Sequence, residues 1–170
     1  MIQRRLGFGI LFFLMLAGIQ CTTTKSASGL PKDILGIGVG MNRAEAGKRL
    51  AEIAEFERDE RKRQQVWRLK DDPHFKYIAV GYDENEKIRY VAAFADATAK
   101  ERIRFSDVGD LSTAKKEVVE PHYRYIWEVP SSDGKPAYIA NIYGDNPDFL
   151  LHYSLSGITT VSEKEEEEDE

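Results

Sequence analysis

Two runs of strand-forming residues, Phe75 to Tyr82 (FKYIAVGY) and Lys87 to Ala95 (KIRYVAAFA), flank the polar cluster Asp83-Glu84-Asn85-Glu86. That pattern specifies a β-hairpin. Side chains two apart on a strand share a face. Ile78, Val80 and Tyr82 are therefore expected together on the first strand, and Ile88, Tyr90, Ala92 and Phe94 together on the second. Asp71-Asp72-Pro73 breaks the chain before the hairpin. A second hairpin follows the same logic. His122 to Val129 alternates strictly, with Tyr123, Tyr125, Trp127 and Val129 on one face and His122, Arg124, Ile126 and Glu128 on the other. Pro130 to Lys135, containing Asp133-Gly134, supplies its turn, and Ala137 to Tyr143 returns as partner strand.

A helix precedes the first hairpin. Ile34 to Gly40 (ILGIGVG) reads as a short strand or extended lead-in, with Gly40 turning the chain into the helix. Asn42 is a good N-cap, and Glu45 three positions on completes a capping-box pattern. Ala46, Leu50, Ile53 and Ala54 follow helical spacing, which predicts an end between Ala51 and Glu55. Gly47 weakens the helix, and close packing against a strand would explain its presence. The charged stretch Phe56 to Lys70 either extends this helix, through the i,i+4 pairs Glu57–Arg61 and Asp59–Arg63, or forms a long edge strand. The preferred reading is helix or turn to Gln64, then a strand from Gln65 to Lys70. Further expectations are a short strand at Arg102–Ser106, a weak helix over Leu111–Glu117, a turn or short helix over Asp148–His152, and a last strand from Tyr153 to Thr160.

The 170 residues suit one domain. With 42% hydrophobic and 31% charged residues, the chain is neither a multi-span membrane protein nor wholly disordered. The expected fold class is α+β: an antiparallel sheet built from hairpins, with one or two helices packed on one face, spanning residues 34–161.

The ends carry a different message. Met1 to Arg5 is a short cationic segment, and the apolar run Leu6 to Ile19 that follows would span about 21 Å as a helix, short of a hydrocarbon core of roughly 30 Å. Residues 1–20 read as an export signal, with an uncleaved signal anchor as the alternative. Cys21, the one thiol in the chain, comes directly after this run, and residues 21–33 read as a flexible tether. The order resembles a bacterial lipoprotein precursor, which implies lipidation of Cys21 and attachment to the membrane. Gly18-Ile19-Gln20 departs from the usual lipobox, and cleavage near Ser26-Ala27-Ser28 would instead leave a soluble periplasmic protein. At the other end, residues 162–170 read as a disordered acidic tail. Seven of its residues are acids, which accounts for the formal net charge of −5. Without the tail the chain is close to neutral, so no nucleic-acid partner is expected.

A family likeness lies in the middle of the chain. Gly40-Met41-Asn42-Arg43-Ala44-Glu45-Ala46 opens a helix. Gln65-Val66-Trp67-Arg68-Leu69, Ile78-Ala79-Val80-Gly81-Tyr82-Asp83 and Lys87-Ile88-Arg89-Tyr90-Val91 then supply strands. Over residues 36–95 this order resembles the small outer-membrane lipoprotein domain called SmpA/OmlA or BamE-like, a relative in shape of the β-lactamase-inhibitor-protein fold. Asn85-Glu86 stands where a glycine is usual in that family. The resemblance implies an exported lipoprotein that binds protein surfaces without catalysis.

Catalytic motifs are missing from the sequence. Gly36, Gly38 and Gly40 have neither dinucleotide nor Walker spacing, and no G-x-S-x-G elbow surrounds Ser154 beside His152. A lone cysteine and three scattered histidines, His74 among them, suggest no metal site, and no cofactor is expected. Trp67, Trp127 and Tyr125 are expected in the core, and Tyr143 and Tyr153 are the candidates for exposed binding residues. The reading is a cell-envelope protein that binds another envelope component. The alternatives are a hydrolase-like enzyme with an acidic cleft and a small-ligand sensor.

Overall fold

The computed structural model describes residues 29–158 apart from 62, 97 and 133. Residues 1–20, expected to be an export signal, Cys21 and the expected acidic tail lie outside the described residues. Helix α1 (Arg43–Ile53) leads into strands β1 (Ala54–Arg61), β2 (Gln64–Leu69), β3 (Phe75–Tyr82) and β4 (Ile88–Ala95). A single-turn helix α2 (Phe105–Val108) and a 3-10 turn at Leu111–Thr113 precede β5 (Lys115–Val119), β6 (His122–Val129), β7 (Tyr138–Gly144) and β8 (His152–Gly157). All eight strands form one sheet in the order β1-β2-β3-β4-β8-β7-β6-β5. Every neighbouring pair is antiparallel. The sheet is thus two four-stranded meanders joined through β4 and β8, and β1 and β5 are its edges.

One face of the sheet holds the core. Across the strands, Trp67, Ile78, Ala93, Tyr153, Ile142 and Tyr125 lie directly opposite one another, and Val80, Val91, Leu155, Ala140 and Trp127 form the next row. Ala46 and Leu50 of α1, Ile34, Ile37 and Val39 of the lead-in, and Phe105 and Leu150 cover these rows in one cluster. Trp127 donates its indole N–H to the Asp110 carbonyl and to Thr113 Oγ1, which ties the 3-10 turn to the sheet. Trp127 and Tyr125 are buried as expected, whereas Trp67 is only partly buried, stacking edge-on against Phe56 with centroids 5.4 Å apart.

The N-terminus of α1 forms as its residues predict. The Asn42 side chain accepts from the Glu45 amide at 2.8 Å, and Gly40 turns with a φ of 85°. Gly47, however, has no packing reason, because a Cβ built there would meet nothing within 4 Å.

Several local expectations are corrected. Residues 54–61 are not a continuation of α1. The chain leaves the helix at Ala54 and pairs at once with β2, Ala54 opposite Leu69 and Phe56 opposite Trp67. Backbone pairing along that ladder, with Ala54 buried and the half-exposed Phe56 packed edge-on against Trp67, outweighs the exposed i,i+4 ion pairs, which are worth only a few tenths of a kcal/mol each. Arg58 instead pairs with Glu57 and Glu60 along the strand. The strand expected at Arg102–Ser106 is replaced by α2, with Phe105 buried beneath it. The expected helix at Leu111–Glu117 stops after one 3-10 turn, because Lys115 already pairs with Ile126. Over Asp148–His152 no helix forms: the chain bends at Asp148, where the Asn146 side chain accepts from the Asp148 and Phe149 amides, and Phe149 is bridged to Arg104. Residues 29–33, expected within the tether, are part of the fold: the Tyr138 hydroxyl donates to the Pro31 carbonyl at 2.7 Å.

Candidate binding face

The second face of the sheet carries no helix among the described residues. Its side chains follow from register. Arg68, Tyr77, Phe94, His152, Tyr143 and Arg124 lie opposite one another across six strands. Glu55 on β1 and Glu117 on β5 extend this row to both edges. Read from either edge, the row runs acid, arginine, tyrosine, ring, so that aromatic groups occupy the centre and charges the rims. At strand spacings near 4.8 Å, the distance from Arg68 to Arg124 is about 24 Å.

Next to this row lies a strip of small side chains. Val66, Ala79, Ala92 and Ser154 are opposite one another and are buried, yet none belongs to the main core. They occupy a trough between the aromatic row and a third row containing Tyr90 and Ile139. Phe94 rises beside the trough and is 40% exposed.

Polar contacts fix the two ends. Arg68 reaches Glu55 at 3.4 Å. At the other end, Arg124 Nε donates to Asn141 Oδ1 at 2.6 Å and its guanidinium lies 3.7 Å from Glu117. The Tyr143 hydroxyl and His122 Nδ1 are 2.6 Å apart. His152 stacks on Phe94, and burial, followed by the positive charge of Arg124, pushes its imidazole pKa below the usual value. Glu117 is held below the usual carboxylate range by its hydrogen bond to Lys115 and the nearby charges of Lys115 and Arg124. Ion pairs thus frame the aromatic centre at both rims, Arg68 with Glu55 and Arg124 and Lys115 with Glu117, an arrangement suited to apolar contact framed by polar recognition.

Tyr143 and Tyr153 separate at this point. Tyr143 lies on the open face, half-buried beside His152. Tyr153 was expected to be exposed and is not: it faces the core at 7% exposure and donates its hydroxyl to the Asp33 carbonyl at 3.2 Å. One residue of shift along a strand reverses the face, and Tyr153 aligns with Ile142 and Ala93 rather than with His152. Ile88 also leaves the group expected on β4. A register shift at Gly81/Tyr82 sets Ile88 opposite Tyr82 in the core, while Tyr90, Ala92 and Phe94 stay on the open face. Alternation in the sequence sets Phe94 and Arg124 on their strand faces without marking them, Tyr77 or Arg68 as binding residues, although the alternation of β3 already places Tyr77 opposite in face to Ile78.

Other chemistry is sparse. Ser154 and His152 share the open face, but no hydrogen bond joins them among the described residues. His74 Nδ1 lies 3.1 Å from the Glu101 carbonyl in a loop. No cluster of three metal-ligating side chains occurs among the described residues, and no described helix is long and apolar enough to cross a membrane. Two shallow clefts of about 270 and 280 Å3 adjoin each other at the loops around Lys32, Lys135, Pro136 and Tyr138, away from the open face. Asp33 and Glu45, which line the second cleft, are engaged in local turns with Gly36 and Asn42. No protein-family model matches this chain, and no curated protein or solved structure is significantly similar to it.

Proposed function

We propose that this protein is an exported, lipid-anchored component of the cell envelope that acts without catalysis, by binding another envelope protein through the open face of its sheet. The observation that carries this reading is the row from Arg68 through Tyr77, Phe94, His152 and Tyr143 to Arg124, left uncovered by every described helix. Stable binding faces combine an apolar, aromatic centre with a polar rim, and this row has both. The export-signal-like N-terminus with Cys21 at its border supports the location, and the likeness to the BamE-like lipoprotein domain supports an α+β fold that works by protein contact. Fold analogy alone assigns no partner.

Site-specific photo-crosslinking in the full-length protein tests the proposal. A photoreactive residue in place of Phe94 or Tyr77 is expected to yield an adduct with the same envelope protein, while one in place of Lys48, on the outer side of α1, yields none. Adducts formed equally from all three positions, or from Lys48 alone, would overturn the reading. Intact mass of the membrane fraction tests the anchor separately. A lipid adduct on a chain beginning at Cys21 is expected, and an unmodified chain beginning near Gly29 contradicts it.

A further inference from the structure

The two edges of the sheet are built differently. β1 is guarded: seven of its eight residues are exposed, six of the eight are charged, and its register slips twice, between Phe56 and Arg58 and between Asp59 and Arg61. Charges and bulges of this kind prevent another strand from adding to an edge. β5 has neither protection in full. Its five residues pair with β6 in unbroken register, Lys115 opposite Ile126 through Val119 opposite His122. Its outer side carries no strand, and two valines end it, Val118 at 43% and Val119 at 74% exposure. They are two of the five large apolar residues left exposed among those described.

We infer that β5 is a strand-addition site for an extended segment of a partner polypeptide, with apolar residues set against Val118 and Val119 and acidic residues set against Lys115 and Lys116. Backbone hydrogen bonds supply affinity in such pairing, and side chains on alternate faces supply selectivity. The charges select the partner. Lys116 has no carboxylate partner among the described residues, its ammonium lying 5.7 Å over the Tyr125 ring, whereas Glu117 is already neutralised by Lys115 at 2.9 Å and Arg124 at 3.7 Å. The edge therefore presents net positive charge beside an apolar pair. A second copy of this chain fits poorly. Antiparallel pairing of all five residues sets Glu117 against Glu117 and each lysine against a valine, and parallel pairing sets each lysine against itself. The inference rests on reading the protein as a binder, but it uses an edge and not the open face.

The test uses the full chain and a synthetic peptide, acetyl-Thr-Ile-Val-Thr-Glu-Glu-Thr-amide, with a lysine-for-glutamate version as control. Binding by the acidic peptide should slow hydrogen exchange of backbone amides within residues 115–119. The affinity should fall by about tenfold or more for the lysine peptide and for the double variant Val118→Glu, Val119→Glu. Both valines are exposed, so this variant is expected to keep its thermal midpoint, and unchanged exchange in β6 and β7 verifies its fold. Lys116→Glu should weaken the acidic peptide and improve the lysine peptide, a reversal that loss of folding cannot produce. Equal affinity for both peptides, protection at residues 54–61 instead, or dimerisation that the peptide does not compete with overturns the inference. Phe94→Glu separates the two surfaces: it should abolish the crosslinked partner of the open face and leave peptide binding unchanged.

Discussion

Phe94 and His152 face each other across the seam where the two four-stranded halves of the sheet meet, ring centroids 5.0 Å apart and planes inclined by 46°. Phe94 belongs to the first half and His152 to the last strand of the second. The pair therefore sits at the middle of the open face, with Tyr77 and Tyr143 as outer neighbours. A tilted aromatic pair of this kind contributes about 0.5–1.5 kcal/mol beyond the area it buries.

A double-mutant cycle on Phe94→Ala and His152→Ala should accordingly give a coupling energy of about 1 kcal/mol by urea denaturation. Strict additivity of the two losses would show that the rings do not stabilise each other.

The same histidine makes stability depend on pH. Its pKa in the fold is depressed by burial and by Arg124, so the unfolded chain binds more protons between that depressed value and about 6.5. Stability rises with pH wherever the unfolded state holds more protons. The contribution is therefore complete above about pH 6.5 and is lost as pH falls through the folded pKa. His152→Gln should flatten the decline measured between about pH 7.5 and 5. An unchanged slope would place the acid sensitivity elsewhere.

Two glycines give opposite expectations. Gly47→Ala places its methyl in open space on α1 and should stabilise the protein by about 0.5–1 kcal/mol. Gly144→Ala drives its methyl into the Phe149 carbonyl oxygen and to 2.8 Å from Phe105 Cζ. The backbone at Phe149 must move to admit it, so a loss of about 2 kcal/mol or more is expected. Thermal midpoints of the two variants should fall on opposite sides of the wild type.

Two phenols hold the segment that leads into α1. Tyr138 donates to the Pro31 carbonyl and Tyr153 to the Asp33 carbonyl, and burial raises the pKa of both hydroxyls. Replacing either by phenylalanine should cost about 1 kcal/mol, and the double variant should speed amide exchange across residues 30–40 more than elsewhere. Exchange unaffected in that segment would mean that the apolar contacts of Ile34 and Ile37 hold it without the phenols.

The strands of the two hairpins were legible because period-2 alternation is a local property. Tyr123, Tyr125 and Trp127 separate from His122, Arg124 and Ile126 in the structure as they do in the sequence. The start of α1 was legible for a similar reason, since Asn42 caps an amide three residues away. Alternation does not say which face will be covered, and it fails where the register shifts, as at Gly81/Tyr82, where Ile88 parts from Tyr90.

Sequence by itself determined the hairpin strands, the helix start and the turns, all set by contacts between residues close along the chain. Tertiary structure alone decided that β4 pairs with β8, which brings residues nearly sixty positions apart into the Phe94–His152 seam and assembles one row from six strands. It also made residues 54–61 an edge strand and sent Tyr153 inward. Each of these outcomes depends on which partner strand removes an apolar side chain from water, and that free energy is fixed only when distant segments meet.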